Sequence, residues 1–348
     1  MSKAQILYIG NLREGGNGRD RIAIFEAQGY AVEGFNTLPW REAGPRVLRS
    51  LTARWQIGPA VSGLNQALRM RAMQGGFDVV VVDKGTVLHA ATLRALKAAS
   101  RKKIAIHYTP DAGFADNRSR EFYRAIADYD LLVTTKNFEL SDYAREGARQ
   151  TLLIHQGYGP RIDPKLATNQ RDLDVVFLGH CQPHYARMLK EAAQAAPLAI
   201  WGPGWPDYAK RHAWARSVVK GPGLYGPDYA RTLGRAKIAI GLLSKRVPET
   251  TTTRSFEIPA MGTMLLAERT EDHAALFEEG REAAFFSTPS ELTEKIVHYL
   301  ANDAARQAIA QAGQARCQSS GYATARQFAR ITDWLDEAIL SPTEGAIA

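Results

Sequence analysis

The chain has few cysteines and no long apolar run. Its two cysteines, Cys181 and Cys317, are too few for a disulfide framework or a four-cysteine zinc site. No stretch reaches the roughly 20 apolar residues of a membrane-spanning helix, and the first ten residues carry too few apolar side chains for a signal peptide. These absences exclude a small disulfide-rich secreted protein and predict a globular protein of a reducing compartment, the cytoplasm.

Acidic residues are missing from one long segment. Between Ala43 and Phe77 there is no aspartate or glutamate, and the whole chain carries a net charge of +8. Such an excess favours anionic partners, namely nucleotides, phospholipid headgroups or nucleic acid. Basic and apolar residues alternate here at helical spacing, which predicts an amphipathic helix broken near Gly58, either a solvated face or a surface for an anionic acceptor or a membrane. The basic residues of this stretch are Arg46, Arg49, Arg54, Arg69 and Arg71.

A strand pattern occurs twice along the chain. The segments "AQILYIGN" and "LDVVFLGH" are apolar strands that end in glycine and a polar residue, each followed by a loop and a helix. Further apolar strands alternate with helices in both halves, which is typical of parallel sheets covered on both faces. We therefore predict an α/β protein with two Rossmann-like domains over residues 1–168 and 169–321, followed by a helix within 322–340.

Residues at the ends of the predicted strands are candidates for a site, because open parallel sheets bind ligands beyond the carboxyl ends of their strands. Asp83 and Asp111 are candidates for acid–base or acceptor-orienting work, with Lys84 as a cationic partner. His107 is either a core histidine or part of this site. The remaining candidates are Gly10, Asn11, Lys136 and Gly157 in the first half, the first three of them for acceptor contact, and Gly179, His180, Gly202 and Lys245 in the second.

Two other classes of site are disfavoured. The glycine-rich loop "REGGNGRD" lacks the GxGxxG spacing of a dinucleotide-binding dehydrogenase. His180, Cys181 and His184 have no fourth ligand at a suitable spacing, so we predict no metal site.

The segment "PETTTTRSFEIPAMG" places an arginine and a glutamate at the start of an apolar stretch. We expect a helix that begins near Thr253 with a threonine hydroxyl as its cap and ends before Gly262 in a left-handed conformation. Its free N–H groups and Arg254 favour a phosphate. Glu257 would repel that phosphate unless it faces another part of the ligand, such as ribose hydroxyls. The alternative is that Arg254 and Glu257 pair with each other at i,i+3.

Several segments, in this order, resemble GT-B glycosyltransferases, most closely the family named after the spore maturation protein CgeB. They are "VVVDKG", "HYTPD", "YDLLVTTK", "DVVFLGH", "WGPGW", "TTRSFEIPAMG", "LLAERTEDHAALFEEGREAAFF", "ELTEKIVHYLAND" and "GQARCQSSGYATARQF". The resemblance implies two domains facing a central cleft, with the helix of 322–340 packing back on the first domain. It also implies that Glu257 holds the ribose of a nucleotide sugar and that Glu249, separated from Glu257 by seven residues as in the retaining pattern, lies near the transferred sugar.

The expected activity is transfer of a sugar from a nucleotide sugar, with a UDP-sugar expected, to a hydroxyl of a cell-surface glycan, lipid-linked or protein acceptor. The resemblance implies that no bound metal is needed, and the basic stretch adds an expected peripheral contact with the inner face of the membrane. Two other classes stay open: a glycosyltransferase acting on modified DNA, and a non-catalytic glycan- or nucleotide-binding coat-assembly protein. The expected donor-binding residues are Gly179, His180, Arg187, Gly202, Lys245, Thr253, Arg254 and Glu257.

Overall fold

The computed structural model describes residues 2–45, 52, 55–115, 117–167 and 170–340. The chain divides into two compact units, the first formed by Met1–His155 with Ala325–Ala348 and the second by Gln156–Thr324. We expected the division near Thr168. It falls earlier because Tyr158 is tied to the end of the second unit: its N–H donates to the Tyr322 carbonyl at 3.1 Å, and its carbonyl accepts from the Thr324 N–H at 2.9 Å.

The first unit is built on a parallel sheet with strand order β2-β1-β3-β4-β5-β6. Its strands are β1 (Gln5–Gly10), β2 (Ala31–Asn36), β3 (Val79–Asp83), β4 (Ile104–Thr109), β5 (Leu131–Thr134) and β6 (Thr151–Leu153). Its first helices are α1 (Asn17–Ala27), α2 (Leu38–Glu42), α3 (Pro59–Gln74), α4 (Ala90–Ala99), α5 (Arg120–Ala125) and α6 (Leu140–Arg145).

Strand β3 shows why the sheet is covered on both faces. Its four consecutive valines are buried, and successive side chains of a strand point to opposite faces. Val80 and Val82 belong to the core under α3 and α4, whereas Val79 and Val81 belong to the core on the other face, which contains Phe25 of α1. An unbroken apolar strand therefore follows from burial on both sides.

The second unit repeats this scheme with strand order β12-β11-β10-β7-β8-β9, again parallel. Its strands are β7 (Leu173–Leu178), β8 (Leu198–Trp201), β9 (Val219–Gly221), β10 (Ala236–Gly241), β11 (Met264–Glu268) and β12 (Ala284–Phe286). Its helices are α7 (Pro183–Ala195), α8 (Trp205–Arg211), α9 (Ala213–Val218), α10 (Gly226–Arg235), α11 (Arg254–Ala260), α12 (Glu271–Leu276), α13 (Pro289–Ala301) and α14 (Asp303–Ser319). The predicted α/β fold with two parallel sheets is confirmed.

The last helix, α15 (Thr324–Leu340), returns to the first unit. Its apolar stripe of Phe328, Ile331 and Leu335 is buried in the same core as Phe25. Within the part of the chain that the structure describes, no helix combines the length and the apolar character needed to cross a membrane.

Each sheet has a switch point, where the chain changes the direction in which it adds strands. In the first sheet this point lies between β1 and β3, and in the second it lies between β7 and β10. Open α/β sheets bind their ligands outside the carboxyl ends of the strands at such a point. In the second unit, a ligand is therefore expected beside the residues that follow β7 and β10.

Candidate functional site

Arg254 lies at the switch point of the second sheet. Its Nη2 donates to the carbonyl of Leu242, the residue after β10, at 3.1 Å. Gly179 is the residue after β7. A Cβ atom added to Gly179 would lie 3.3 Å from Arg254 Nη1, so a larger residue at this position would crowd the guanidinium. The guanidinium also lies 5.8 Å from the Phe177 ring centroid. Arg254 thus spans the two strands, and among the described residues no carboxylate forms an ion pair with it.

Glu257, one helical turn further on α11, has its own partners. The Tyr229 hydroxyl donates to Glu257 Oε2 at 2.7 Å. Burial raises the pKa of Glu257, while the hydrogen bonds from Tyr229 and Thr253 and the charge of Arg254 oppose that shift. The structure therefore does not favour the alternative i,i+3 pair, because the two side chains hydrogen-bond to different groups.

The start of α11 differs from the prediction. The Thr253 side chain makes no cap hydrogen bond, and the helix has only seven residues with Pro259 inside it. The N–H groups of Phe256 and Glu257 both donate to the Thr253 carbonyl, at 3.0 and 2.9 Å. The predicted threonine cap is wrong, and the helix offers fewer free N–H groups to a phosphate than we expected. Its end is as predicted, since Gly262 has a φ of 65°.

The loop after β10 carries Lys245 and Glu249. Lys245 Nζ forms an ion pair with Glu268, the last residue of β11. Glu249 Oε2 accepts a long hydrogen bond of 3.4 Å from the Ser244 N–H. Both side chains are thus held on the carboxyl edge of the sheet, on the same loop that supplies the carbonyl partner of Arg254.

Sequence reasoning missed Glu268 and gave His184 no role in the donor site. His184 Nε2 lies 2.9 Å from Glu268 Oε1, and Arg187 Nη2 lies 3.2 Å from His184 Nδ1. The expected donor residue Arg187 is therefore connected through His184 to the same carboxylate that holds Lys245. The available signal was a charged residue at the carboxyl end of an apolar strand, the rule that had selected Asp83.

Gly202 and His180 occupy different environments. A Cβ on Gly202 would stand 1.8 Å from the Gly179 carbonyl oxygen, which also accepts from Trp205 Nε1 at 2.9 Å. Gly202 is buried and allows the loops after β7 and β8 to pack closely, whereas His180 is exposed. A direct ligand contact stays a prediction for both residues.

In the first unit, Asp83 belongs to a buried ion pair. Its Oδ2 accepts from Arg21 Nη1 at 2.6 Å and from the Tyr8 hydroxyl at 2.7 Å. The Arg21 guanidinium also lies 4.6 Å from the Tyr108 ring centroid. Asp83 is 8% exposed, so this arrangement does not favour the acid–base role that we predicted. The cause is long-range, because Arg21 comes from α1.

Lys84 and Asp111 form the accessible pair at this edge. Lys84 Nζ lies 2.5 Å from Asp111 Oδ2, and both side chains are partly exposed. Lys84 has a φ of 68°, a left-handed conformation that is uncommon for a residue with a side chain. Backbone strain of this kind is often found at functional sites.

His107 is a core histidine. Its Nε2 donates to the Lys84 carbonyl at 3.0 Å, and its ring stacks on Phe122 with 4.4 Å between centroids. Burial lowers the pKa of His107 to about 4, so the ring is neutral at physiological pH. Its role is to support the backbone of Lys84.

The other candidates of the first half mostly contact other parts of the protein. Gly10 packs against Asp83, and a Cβ there would lie 3.0 Å from the Asp83 Cβ. Asn11 is exposed, and its Oδ1 accepts from the Arg13 N–H at 3.1 Å. Lys136 is buried, which does not favour acceptor contact. Gly157 has a φ of 65° and allows close packing against Tyr322.

No group of three metal-ligating side chains occurs within the described ranges.

Comparisons with known proteins agree on the fold. A model of a family described as glycosyl transferase-like matches residues 182–333. HepE from Anabaena, solved with UDP and glucose, is 17% identical, with a TM-score of 0.64 over 96% of this chain and 100% of that one. Sucrose-phosphate synthase from Thermosynechococcus elongatus is 14% identical, with a TM-score of 0.67 over 97% and 100%. A glycosyltransferase from Rickettsia africae is 12% identical, with a TM-score of 0.67 over 98% and 100%.

Among curated proteins, none matches this chain significantly. The α/β fold with two parallel sheets is that of the GT-B glycosyltransferases among its structural neighbours. The family match also covers Lys245, Arg254, Glu257 and Glu268, the residues that surround the switch point of the second sheet.

Proposed function

We propose that this chain is a glycosyltransferase that moves a sugar from a nucleoside diphosphate sugar, with UDP as the nucleotide, to a hydroxyl acceptor. The observation that carries the proposal is Arg254: its guanidinium lies at the switch point of the second sheet with uncharged hydrogen-bond partners, one helical turn from Glu257. A guanidinium that forms no ion pair among the described residues suits a diphosphate, and a neighbouring carboxylate suits the two hydroxyls of a ribose. The family match over the same residues and the UDP bound by HepE support this assignment.

The reaction breaks the bond between the anomeric carbon and the β-phosphate oxygen and forms a bond to the acceptor oxygen, whose proton is released. Negative charge therefore develops on the departing nucleoside diphosphate. We assign its stabilisation to Arg254, Lys245 and Arg187, cations fixed before the reaction begins. They take the part that a divalent cation plays in other transferases, so the proposed reaction is independent of metal.

The acid–base and sugar-contacting groups are assigned by accessibility. Asp111 is the accessible one of the two predicted carboxylates of the first unit, and Lys84 holds it at 2.5 Å. We assign it the acceptor hydroxyl in place of Asp83, which is buried with Arg21. Glu249 keeps its proposed place near the transferred sugar. Thr253, the residue before Arg254, keeps its proposed place in the donor site.

Calorimetry with UDP in the presence of EDTA tests the donor site directly. We expect binding in the micromolar to millimolar range without added metal, followed by slow release of sugar from one member of a panel of UDP-sugars. Failure of every nucleoside diphosphate to bind at millimolar concentration would remove the proposal. Binding of a UDP-sugar with neither hydrolysis nor transfer would instead support the non-catalytic nucleotide-binding class.

For the acceptor, we propose an anionic or lipid-linked glycan at the cytoplasmic face of a membrane, as the stretch without acidic residues predicts. The supporting observation is that Ile57, Met70 and Met73, in the stretch without acidic residues, are exposed. Arginines there do not all serve this surface: Arg71 is bound by Glu33 through two contacts of 2.6 Å. Arg46, Arg49 and Arg54 lie outside the described residues.

A further inference from the structure

Glu268, the buried last residue of β11, contacts groups from two other segments of the second unit. Its Oε1 accepts from the Leu243 N–H at 2.9 Å and lies 2.9 Å from His184 Nε2, while its Oε2 pairs with Lys245 Nζ. A buried carboxylate is costly unless its oxygens are hydrogen-bonded. Glu268 meets this requirement with three donors, two from the loop after β10 and one from α7.

The burial of this ion pair is unequal. The Glu268 side chain is 12% exposed, whereas the Lys245 side chain is 54% exposed. A lysine on a surface loop samples many rotamers, and ordering it costs conformational free energy. Here a fixed anion inside the protein holds an exposed ammonium group at one point of the carboxyl edge.

Through its contact with His184, Glu268 also fixes the orientation of a second cation, Arg187. Because Glu268 is a carboxylate, His184 must donate from Nε2, and in the neutral ring Nδ1 is then the acceptor. That nitrogen lies 3.2 Å from Arg187 Nη2, so the arginine donates to it. The chain Glu268–His184–Arg187 sets one tautomer and one orientation of the guanidinium, as outer partners do for histidines at metal sites.

The backbone of residue 268 holds the segment that leads into α11. Its carbonyl lies 2.7 Å from His273 Nδ1, His273 Nε2 lies 2.8 Å from Ser255 Oγ, and Ser255 Oγ accepts from the Thr252 N–H at 3.0 Å. Ser255 is the residue next to Arg254. Glu268 therefore contacts Lys245 directly, reaches Arg187 through His184, and supports the backbone on either side of Arg254.

We propose that Glu268 is a positioning residue that orients Lys245, and through His184 also Arg187, toward the phosphates of the donor. This inference rests on the proposed function, because it takes the donor to be a nucleoside diphosphate. Cations held in place before the ligand arrives stabilise phosphate charge without a reorganisation cost. The competing view is that Glu268 only neutralises excess positive charge, in which case its removal would strengthen phosphate binding.

The test compares UDP with uridine, which lacks the phosphates. In Glu268→Gln we expect UDP affinity to fall about ten- to a hundredfold, by analogy with the loss at metal sites when an outer partner of a ligand is removed. The variant's affinity for uridine should stay within about twofold of the wild-type value, because the ribose site on α11 does not use this carboxylate. Lys245→Met should show the same pattern, and the double variant should lose less than the sum of the two, as expected for groups in one network.

Glu268→Asp separates position from charge and guards against a folding defect. It keeps the negative charge but shortens the side chain, so a positioning role predicts weaker UDP binding and a neutralising role predicts wild-type binding. Glu279→Gln is the matched control, since Glu279 bridges Arg269 and Lys295 in the same unit. We expect it to leave the ratio of UDP to uridine affinity unchanged.

The outcomes separate this inference from the proposed function. Wild-type or tighter UDP binding by both Glu268 variants would overturn the positioning role. Equal losses for UDP and uridine would also overturn it, because they indicate general damage to the unit. If the wild-type protein binds neither UDP nor another nucleoside diphosphate, the proposed function itself fails.

Discussion

At the scale of single residues, Glu257 shows how environment selects a role. Burial favours its neutral form, whereas Tyr229, Thr253 and Arg254 favour the carboxylate. A carboxyl group fixed by the Tyr229 hydroxyl in this way is suited to accept hydrogen bonds from a ligand. That is the function we assign to it with the ribose.

We predict that Glu257→Gln weakens UDP binding about ten- to a hundredfold, because an amide keeps the shape of the side chain but loses charge-assisted hydrogen bonds worth roughly 1–3 kcal/mol. Titration calorimetry measures the change. The companion measurement uses 2′-deoxy-UDP. The wild type should bind 2′-deoxy-UDP less tightly than it binds UDP, whereas the variant should bind the two ligands about equally well. Equal losses of affinity for the deoxy ligand in both proteins would show that Glu257 does not contact the ribose.

His107 gives a prediction about stability and pH. Its pKa is about 4 in the folded protein and 6.5 in the unfolded chain, so the unfolded state binds more protons between these values. Stability should therefore fall as the pH falls from 6.5 toward 4, by roughly 2 kcal/mol between pH 7 and pH 5 for this group. Urea unfolding of the first unit should show this loss in the wild type and a smaller one in His107→Gln. The same slope in both proteins would contradict the assignment.

Local patterns located some of these residues and not others. Arg254 and Glu257 lie within one short segment whose composition drew attention to it, and the structure places both at the switch point. Asp83 had the same local signal, but its burial depends on Arg21, a residue 62 positions away in the chain. Glu268 was missed because its importance arises from partners on α7 and on the loop after β10, which only the fold brings together.

At the scale of elements, α3 carries the surface that we assign to an anionic acceptor. Val61, Leu64 and Leu68 face the core, and Met70 and Met73 are exposed near the end of the helix. Apolar side chains beside arginines are typical of helices that bind at the surface of an anionic membrane.

We predict that Met70→Ser/Met73→Ser weakens binding to vesicles containing anionic phospholipid, and that charge reversal at Arg46, Arg49 and Arg54 weakens it further at low salt. UDP affinity should be unchanged in both variants. Vesicle flotation measures the first effect, and an oligonucleotide titration in the same buffer is the control. Loss of oligonucleotide binding with unchanged vesicle binding would favour a nucleic-acid acceptor instead.

Element types were easier to predict than element ends. The apolar strands of both sheets were evident because burial on both faces removes polar residues from them. Helix α11 was expected with a threonine cap, but the Thr253 side chain makes no cap hydrogen bond, and the Ser255 hydroxyl accepts from the Thr252 N–H and contacts His273. A run of four threonines offers several equivalent caps, and tertiary contacts decide among them.

At the scale of the whole molecule, the first unit is completed by a distant part of the chain. The first unit includes α15, whose stripe of Phe328, Ile331 and Leu335 occupies the same core as Ile6 and Phe25. The helical spacing of these three residues was visible in the sequence. Their destination was suggested only by the resemblance, because periodicity shows that a face is buried and not what covers it.

We predict that Leu335→Ala destabilises the first unit by about 2–5 kcal/mol, since Leu335 is completely buried in that core. Hydrogen exchange followed by mass spectrometry should show faster exchange in β1, β3 and α1, while β7, β10 and UDP affinity stay unchanged. The matched control is Ile309→Ala on α14, which removes a buried side chain from the core of the second unit. That variant should accelerate exchange around β7 and β11 only. If Leu335→Ala loosened both units equally, or Ile309→Ala loosened the first, the two cores would not be energetically separate, and treating nucleotide binding as a property of the second unit would be wrong.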